Sequence, residues 1–109
     1  MVEITLSQLQ EERNAWVKKN FPDDELEDSF LGVVEEAGEF AHHYLKRKQD
    51  IRGDQAFHYS EMLDALADLV IFGAGIATHL GVDYGDLVTM TWARVKKRDW
   101  TKDREKGGE

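Results

Sequence analysis

A single proline, Pro22, stands in a chain whose apolar side chains recur three and four residues apart, with no strand-like alternation of any length. That pattern predicts an all-α fold of four helices. Ser7 followed by Gln10 reads as a capping box that opens a first helix running to about Asn20. Its apolar residues Leu6, Leu9, Ala15 and Trp16 are sparse. Pro22 and the run Asp23-Asp24-Glu25 mark a turn, and the negative charge suits the start of a second helix from about Glu25 to Lys48. The apolar stripe of that helix is Phe30, Val33, Ala37, Phe40 and Tyr44. Ile51 to about Tyr59 reads as a loop, Ser60 as the N-cap of a third helix, and Gly81 as the glycine just past its end. From Ala65 to Leu80 this helix is apolar on almost every side, as expected of one buried in a bundle. Gly73 and Gly75 would let a neighbouring helix come close. Asp83 caps a fourth helix, Tyr84 to about Trp100, and residues 101–109 read as a polar, frayed tail. Residues 1–109 thus form one domain with no internal repeat.

A lone domain of 109 residues buries proportionally little surface, so pairing with a second copy is an expected way to cover more apolar area. The absence of cysteine rules out disulfides and thiolate metal sites, in keeping with a reducing cytoplasm. The N-terminus carries neither a basic stretch nor an apolar signal core. The longest apolar run, Ala65 to Gly81, is short for a bilayer and contains Asp68 and His79. These features lead us to expect a soluble, cytoplasmic protein with no membrane partner. The net charge of −8 argues against broad binding to nucleic acid, which needs a basic surface.

The acidic residues are not evenly spread. Glu35, Glu36 and Glu39 share the second helix; Glu61, Asp64 and Asp68 follow i, i+3, i+7 on the third and fit an arc of roughly 60° at about 100° per residue. Glu36 points toward the packed side of its helix and Glu35 furthest out. Facing two such sets across a bundle is unfavourable, because neighbouring carboxylates in a partly dry site cannot all stay ionised. A hard divalent cation removes the conflict, and Mg²⁺ prefers carboxylate and water oxygens. Asp68 is the sharpest clue, since a carboxylate inside an apolar helix needs a partner or a metal. The bland alternatives are a solvated Glu-rich face, and an Asp68 paired with His79, Arg94 or a backbone group.

Glu35-Glu36-Ala37-Gly38-Glu39, with Glu61-Met62-Leu63-Asp64 after twenty-one residues, resembles the EExxE…ExxD signature of MazG-like nucleoside triphosphate pyrophosphohydrolases. These belong to an all-α superfamily that includes dimeric dUTPases and phosphoribosyl-ATP pyrophosphohydrolases. The resemblance runs from about Leu6 to Trp100 and takes in Asp64-Ala65-Leu66-Ala67-Asp68-Leu69 and Arg98-Asp99-Trp100. It implies a four-helix MazG-like bundle assembled as a homodimer or homotetramer. It also implies Mg²⁺ ligation by Glu36, Glu39 and an acidic pair on the third helix, with Mn²⁺ as a substitute and Glu35 positioning or activating the attacking water. The register of the pair is open: ExxD selects Glu61 and Asp64, whereas the apolar run after the aspartate selects Asp68, whose partner position is Ala65. We favour Glu61 and Asp64, with Asp68 as an additional ligand or support.

The implied chemistry cleaves a (d)NTP to (d)NMP and pyrophosphate, with nucleotide-pool clearance as the typical role. No Ser/His or Lys arrangement suggests a covalent nucleophile. A dUTPase-like or phosphoribosyl-ATP-specific enzyme on the same fold is one alternative, and a non-catalytic helical interaction module is another. Eleven of the fourteen Lys and Arg residues follow the second helix (Lys46, Arg47, Lys48, Arg52) or crowd the C-terminus (Arg94, Lys96, Lys97, Arg98, Lys102, Arg104, Lys106). Lys97 and Arg98 are the preferred phosphate contacts, with Lys46 a further candidate; the rest complement helix dipoles. Trp16 and Asn20, and also Trp92 and Trp100, are candidates for holding the base. His42 and His43 read as solvated or interfacial.

Overall fold

The computed structural model describes residues 1–102, and Arg104, Lys106 and the remainder of the expected tail lie outside them. Helices α1 (Leu6–Asn20), α2 (Leu26–Gln49), α3 (Gln55–His79) and α4 (Tyr84–Val95) follow in order, with no strand among the described residues. The capping box of α1 sits two residues earlier than expected. Thr5 Oγ1 accepts from the Gln8 N–H at 3.1 Å while the Gln8 side chain accepts from the Thr5 N–H at 2.8 Å. Ser7 instead donates to Asp83 at 2.7 Å, tying the start of α1 to the start of α4.

α2 opens after Glu25, whose N–H donates to Asp28 at 2.9 Å. It closes with Asp50 in the left-handed region and the Ile51 N–H on the Lys46 carbonyl at 3.2 Å. α3 begins at Gln55 and not after Ser60, because the Asp54 carboxylate accepts from the Phe57 N–H at 2.7 Å. The expected loop thereby shrinks to a short turn and the two helices form an antiparallel hairpin. Gly81 ends α3 as expected: with φ 72° it turns its own N–H onto Thr78 (3.1 Å) and that of Val82 onto Ala77 (3.0 Å). α4 is shorter than expected. It stops at Val95, and the Lys97 and Arg98 N–H groups bond Arg94 and Val95 at 3.2 and 3.1 Å in tighter turns.

α3 is the hub: its backbone packs against α1, α2 and α4, whereas the α2 backbone approaches α3 alone. Close approach depends on small residues. A Cβ on Gly32 would collide with Phe72, and one on Gly75 with Ser29 Oγ and Arg13. The α2 residues buried in this seam are Ser29, Gly32 and His43, at helical spacing. The expected apolar stripe of α2 lies beside the seam: Val33 and Phe40 are half-buried, but Phe30, Ala37 and Tyr44 are exposed.

α3 is likewise not buried within one chain. Its buried apolar residues are the small Ala65, Ala74 and Ala77, while Leu63, Leu66, Val70 and Ile71 remain exposed. The radius of gyration, 17.2 Å, exceeds the ~13 Å of a compact chain this long. The open arrangement leaves apolar faces uncovered. At 25 residues the whole of α3 is long and apolar enough, by length and composition, to cross a membrane, which the shorter run considered in the sequence was not. Its acidic residues, however, face α2 across a polar cleft.

Candidate metal centre

The antiparallel hairpin sets α2 and α3 residues opposite one another along the seam. Ser29 meets Gly75, Gly32 meets Phe72, and His43 meets His58 at the turn end. Between the last two levels the opposed residues are acidic. Glu35, Glu36 and Glu39 from α2, with Glu61, Asp64 and Asp68 from α3, line one open cleft of about 320 Å³, and Ala65 completes its wall. Ala65 is almost fully buried, so the α3 backbone stands close behind the acids.

Among the described residues the ion pairs are His43–Glu39, His79–Asp24 and Lys102–Asp99, so no Lys or Arg neutralises the six carboxylates. His79 is thus committed to Asp24, at 2.9 Å, and does not serve Asp68. The Glu36 carboxyl is raised above the ordinary carboxylate range. Partial burial is the main cause, followed by the charges of Asp68, Glu35, Glu39 and Asp64. Among the described residues no three acidic or histidine side chains converge on one coordination point. The acids line a common space without meeting at a point. The donor set of hard oxygens without a counter-charge fits a hard divalent cation, whose binding would draw the side chains inward.

Behind the cleft lies a buried histidine pair. His43 Nδ1 and His58 Nδ1 are 2.9 Å apart, His58 Nε2 lies 2.9 Å from the Ile51 carbonyl, and His43 Nε2 lies 3.5 Å from Glu39 Oε2. A carbonyl only accepts, so the Ile51 contact calls for a hydrogen on His58 Nε2. The expectation of a solvated or interfacial His43 is corrected here, since His43 is 7% and His58 1% exposed. The signal was present in the spacing. His43 stands seven residues after Glu36 and four after Glu39, while His58 precedes Glu61 by three, so both continue the acidic faces.

The other candidates lie elsewhere in the single chain. Trp16 is exposed and stacks edge-on against Phe21, with centroids 5.7 Å apart. Asn20 donates to the Trp16 carbonyl at 2.8 Å, closing the end of α1. Lys46 donates to Gln49 at 3.2 Å. Lys97 is exposed and Arg98 half-buried beyond the end of α4. None of these five lines the acidic cleft.

No family model and no curated protein matches the chain. The structure is similar to that of the cyanophage S-2L MazG-like pyrophosphohydrolase, solved with dGDP and three catalytic Mn²⁺ ions per active site. The TM-score is 0.58, at 25% sequence identity over 89% of this chain and 82% of that one. The four helices thus take an all-α fold like that of the MazG-like pyrophosphohydrolase, with the acidic cleft between α2 and α3.

Proposed function

We propose that the chain is a divalent-metal-dependent nucleotide pyrophosphohydrolase. It cleaves a ribo- or deoxynucleoside triphosphate between the α and β phosphates, releasing monophosphate and pyrophosphate, with Mg²⁺ as the working ion and Mn²⁺ as a substitute. The observation that carries this reading is the cleft itself: six carboxylates from two helices, unpaired with Lys or Arg, on a fold shared with a pyrophosphohydrolase that holds three Mn²⁺ ions. The dGDP bound to that neighbour supports a nucleotide substrate.

Glu36, Glu39, Glu61, Asp64 and Asp68 are the proposed metal ligands. When bound, divalent ions neutralise the polyphosphate, polarise its phosphoryl oxygens and lower the pKa of a coordinated water. Glu35, an exposed residue of the cleft lining, is proposed to accept a hydrogen bond from the attacking water. Glu36 and Glu39 serve in both roles, as ligands and as part of the catalytic set. No Ser, Thr, Cys, Lys or His lines the cleft, and with its carboxylates assigned to metal and water the proposed nucleophile is water. Lys97, Arg98 and Lys46 are proposed to meet phosphate, and Trp16 and Asn20 the base. Because they lie off the cleft of one chain, their contribution requires an extended substrate or a neighbouring copy. A homodimer or homotetramer is further supported by the uncovered Leu63, Leu66 and Val70 on α3 and Leu31 and Val34 on α2.

A panel of (d)NTPs, together with dUTP and phosphoribosyl-ATP, incubated with Mg²⁺ or Mn²⁺ and resolved by ion exchange tests this reading. We expect monophosphate and pyrophosphate in equal amounts, lost in Glu36→Gln and Glu39→Gln. Orthophosphate as the first product, or turnover indifferent to chelation, would refute it.

A further inference from the structure

We propose that Arg13 binds the nucleoside monophosphate half of the substrate through its α-phosphate, so that the nucleotide lies along the α2–α3 seam with its nucleoside toward α1; the inference rests on the pyrophosphohydrolase reading above. The seam continues past the acids. Ser29 precedes Glu36 by seven residues and Gly75 follows Asp68 by seven, so each continues its acidic face about 10 Å further along the antiparallel pair, in the same direction. There the Arg13 guanidinium of α1 lies against the bare face of Gly75 and close to Ser29 Oγ, with its centre 5.8 Å from that of the Phe72 ring.

Among the described residues no carboxylate lies within ion-pair distance of this cation. Its Nε is buried without a hydrogen-bond partner, and burial pushes the guanidinium below its ordinary pKa even with the charge of Asp24 nearby. Asp24 is itself held by His79 at 2.9 Å. The Phe72 ring offers attraction only near the limit of cation–π range. A guanidinium taken part of the way out of water is unfavourable until an anion seats against it, whereas a side chain that only packs α1 onto α3 needs no charge. Orientation follows from what lies at each end of the cleft. Toward the turn, Lys46 stands seven residues after Glu39 on the same face and offers charge to the outer phosphates. Toward α1, a cavity of about 180 Å³ opens beside Arg13, walled by Val17, Phe21, Pro22 and Gly75, which suits a flat ring better than another phosphate. Trp16 packs edge-on against Phe21 of that wall.

The test is calorimetric binding to the full-length protein, with Mg²⁺ present, of two ligands that divide the substrate between them: inorganic pyrophosphate, and the monophosphate of the best triphosphate in the panel. Arg13→Gln should weaken the monophosphate about 10- to 100-fold, the worth of a hydrogen bond to a charged group, and leave pyrophosphate unchanged. Arg13→Lys keeps the charge but not the planar fork, and should recover part of the loss. A role in packing alone would shift both ligands equally or neither. Equal loss, no loss, or loss confined to pyrophosphate overturns the proposal, while hydrolysis by the wild type upholds the site. Absence of hydrolysis across the panel overturns both. Should Arg13→Gln fail to fold, Arg13→Lys decides by the same comparison: weakening of the monophosphate alone supports the proposal, and any other pattern overturns it.

Discussion

Replacing Glu36 with glutamine should change stability in opposite directions with and without metal. In the free protein the Glu36 carboxyl sits above the ordinary range because of partial burial and four like-charged neighbours, so its ionised form opposes folding near neutral pH. Each like-charge contact costs a few tenths of a kcal/mol at most, and solvent screens a group this open. Together they amount to about 0.5 kcal/mol, or about 2–4 °C in Tm for a chain of this size. Glutamine keeps the shape and removes the charge, so Glu36→Gln should melt about 2–4 °C higher than wild type in EDTA. At Mn²⁺ about 100 times its Kd, wild type should gain about 2.7 kcal/mol, or about 10–20 °C. A variant whose affinity fell about 100-fold would gain only about 0.4 kcal/mol at the same concentration. The melting order should therefore reverse between EDTA and Mn²⁺, at equal protein concentration, by differential scanning fluorimetry with circular dichroism as a check. A variant less stable in both conditions, or one with the full metal-induced rise, would refute the claim that these acids repel one another around a shared cation site.

Gly75→Ala should lower stability by about 1–3 kcal/mol, because its Cβ would meet the Arg13 guanidinium and the Oγ of Ser29, which is fully buried; urea melts measure it. Asp83 caps α4, accepting from the Asp86 N–H at 2.8 Å and from Ser7 at 2.7 Å. These bonds hold its carboxyl below the ordinary range. The sign is that of a depressed acid: its contribution is complete above about pH 4 and is lost as pH falls further. Asp83→Ala should lower Tm at pH 7 and flatten the acid limb of the stability curve. Chelation should lower wild-type Tm only after prior metal loading, and dialysis against Mg²⁺ should restore both Tm and hydrolysis. Leu66→Asp on the uncovered α3 surface should shift the sedimentation coefficient toward that of a single chain, with the helical circular dichroism signal retained.

Helix number and type were legible because they are local: one proline, a 3.6-residue apolar period and short polar breaks between helices leave few other solutions. Helix ends were legible only where the cap competed with nothing nearby, as at Glu25, Gly81 and Asp83. Thr5 outbid Ser7, and Asp54 outbid Ser60, because a cap is decided by which side chain reaches a free N–H, and Ser7 was drawn away to Asp83. The acidic residues were legible as two faces by spacing. Their meeting in one cleft was not, since it depends on Gly32 and Gly75 letting α2 and α3 approach. Only the tertiary structure decided that the α2–α3 seam is small and polar, with Ser29, Gly32 and His43 inside and Phe30 and Tyr44 outside. Only the fold could pair His43 with His58, fifteen residues apart, behind Glu39. Periodicity along a chain determines which residues share a helix face; what that face meets is set by how closely a second backbone can come.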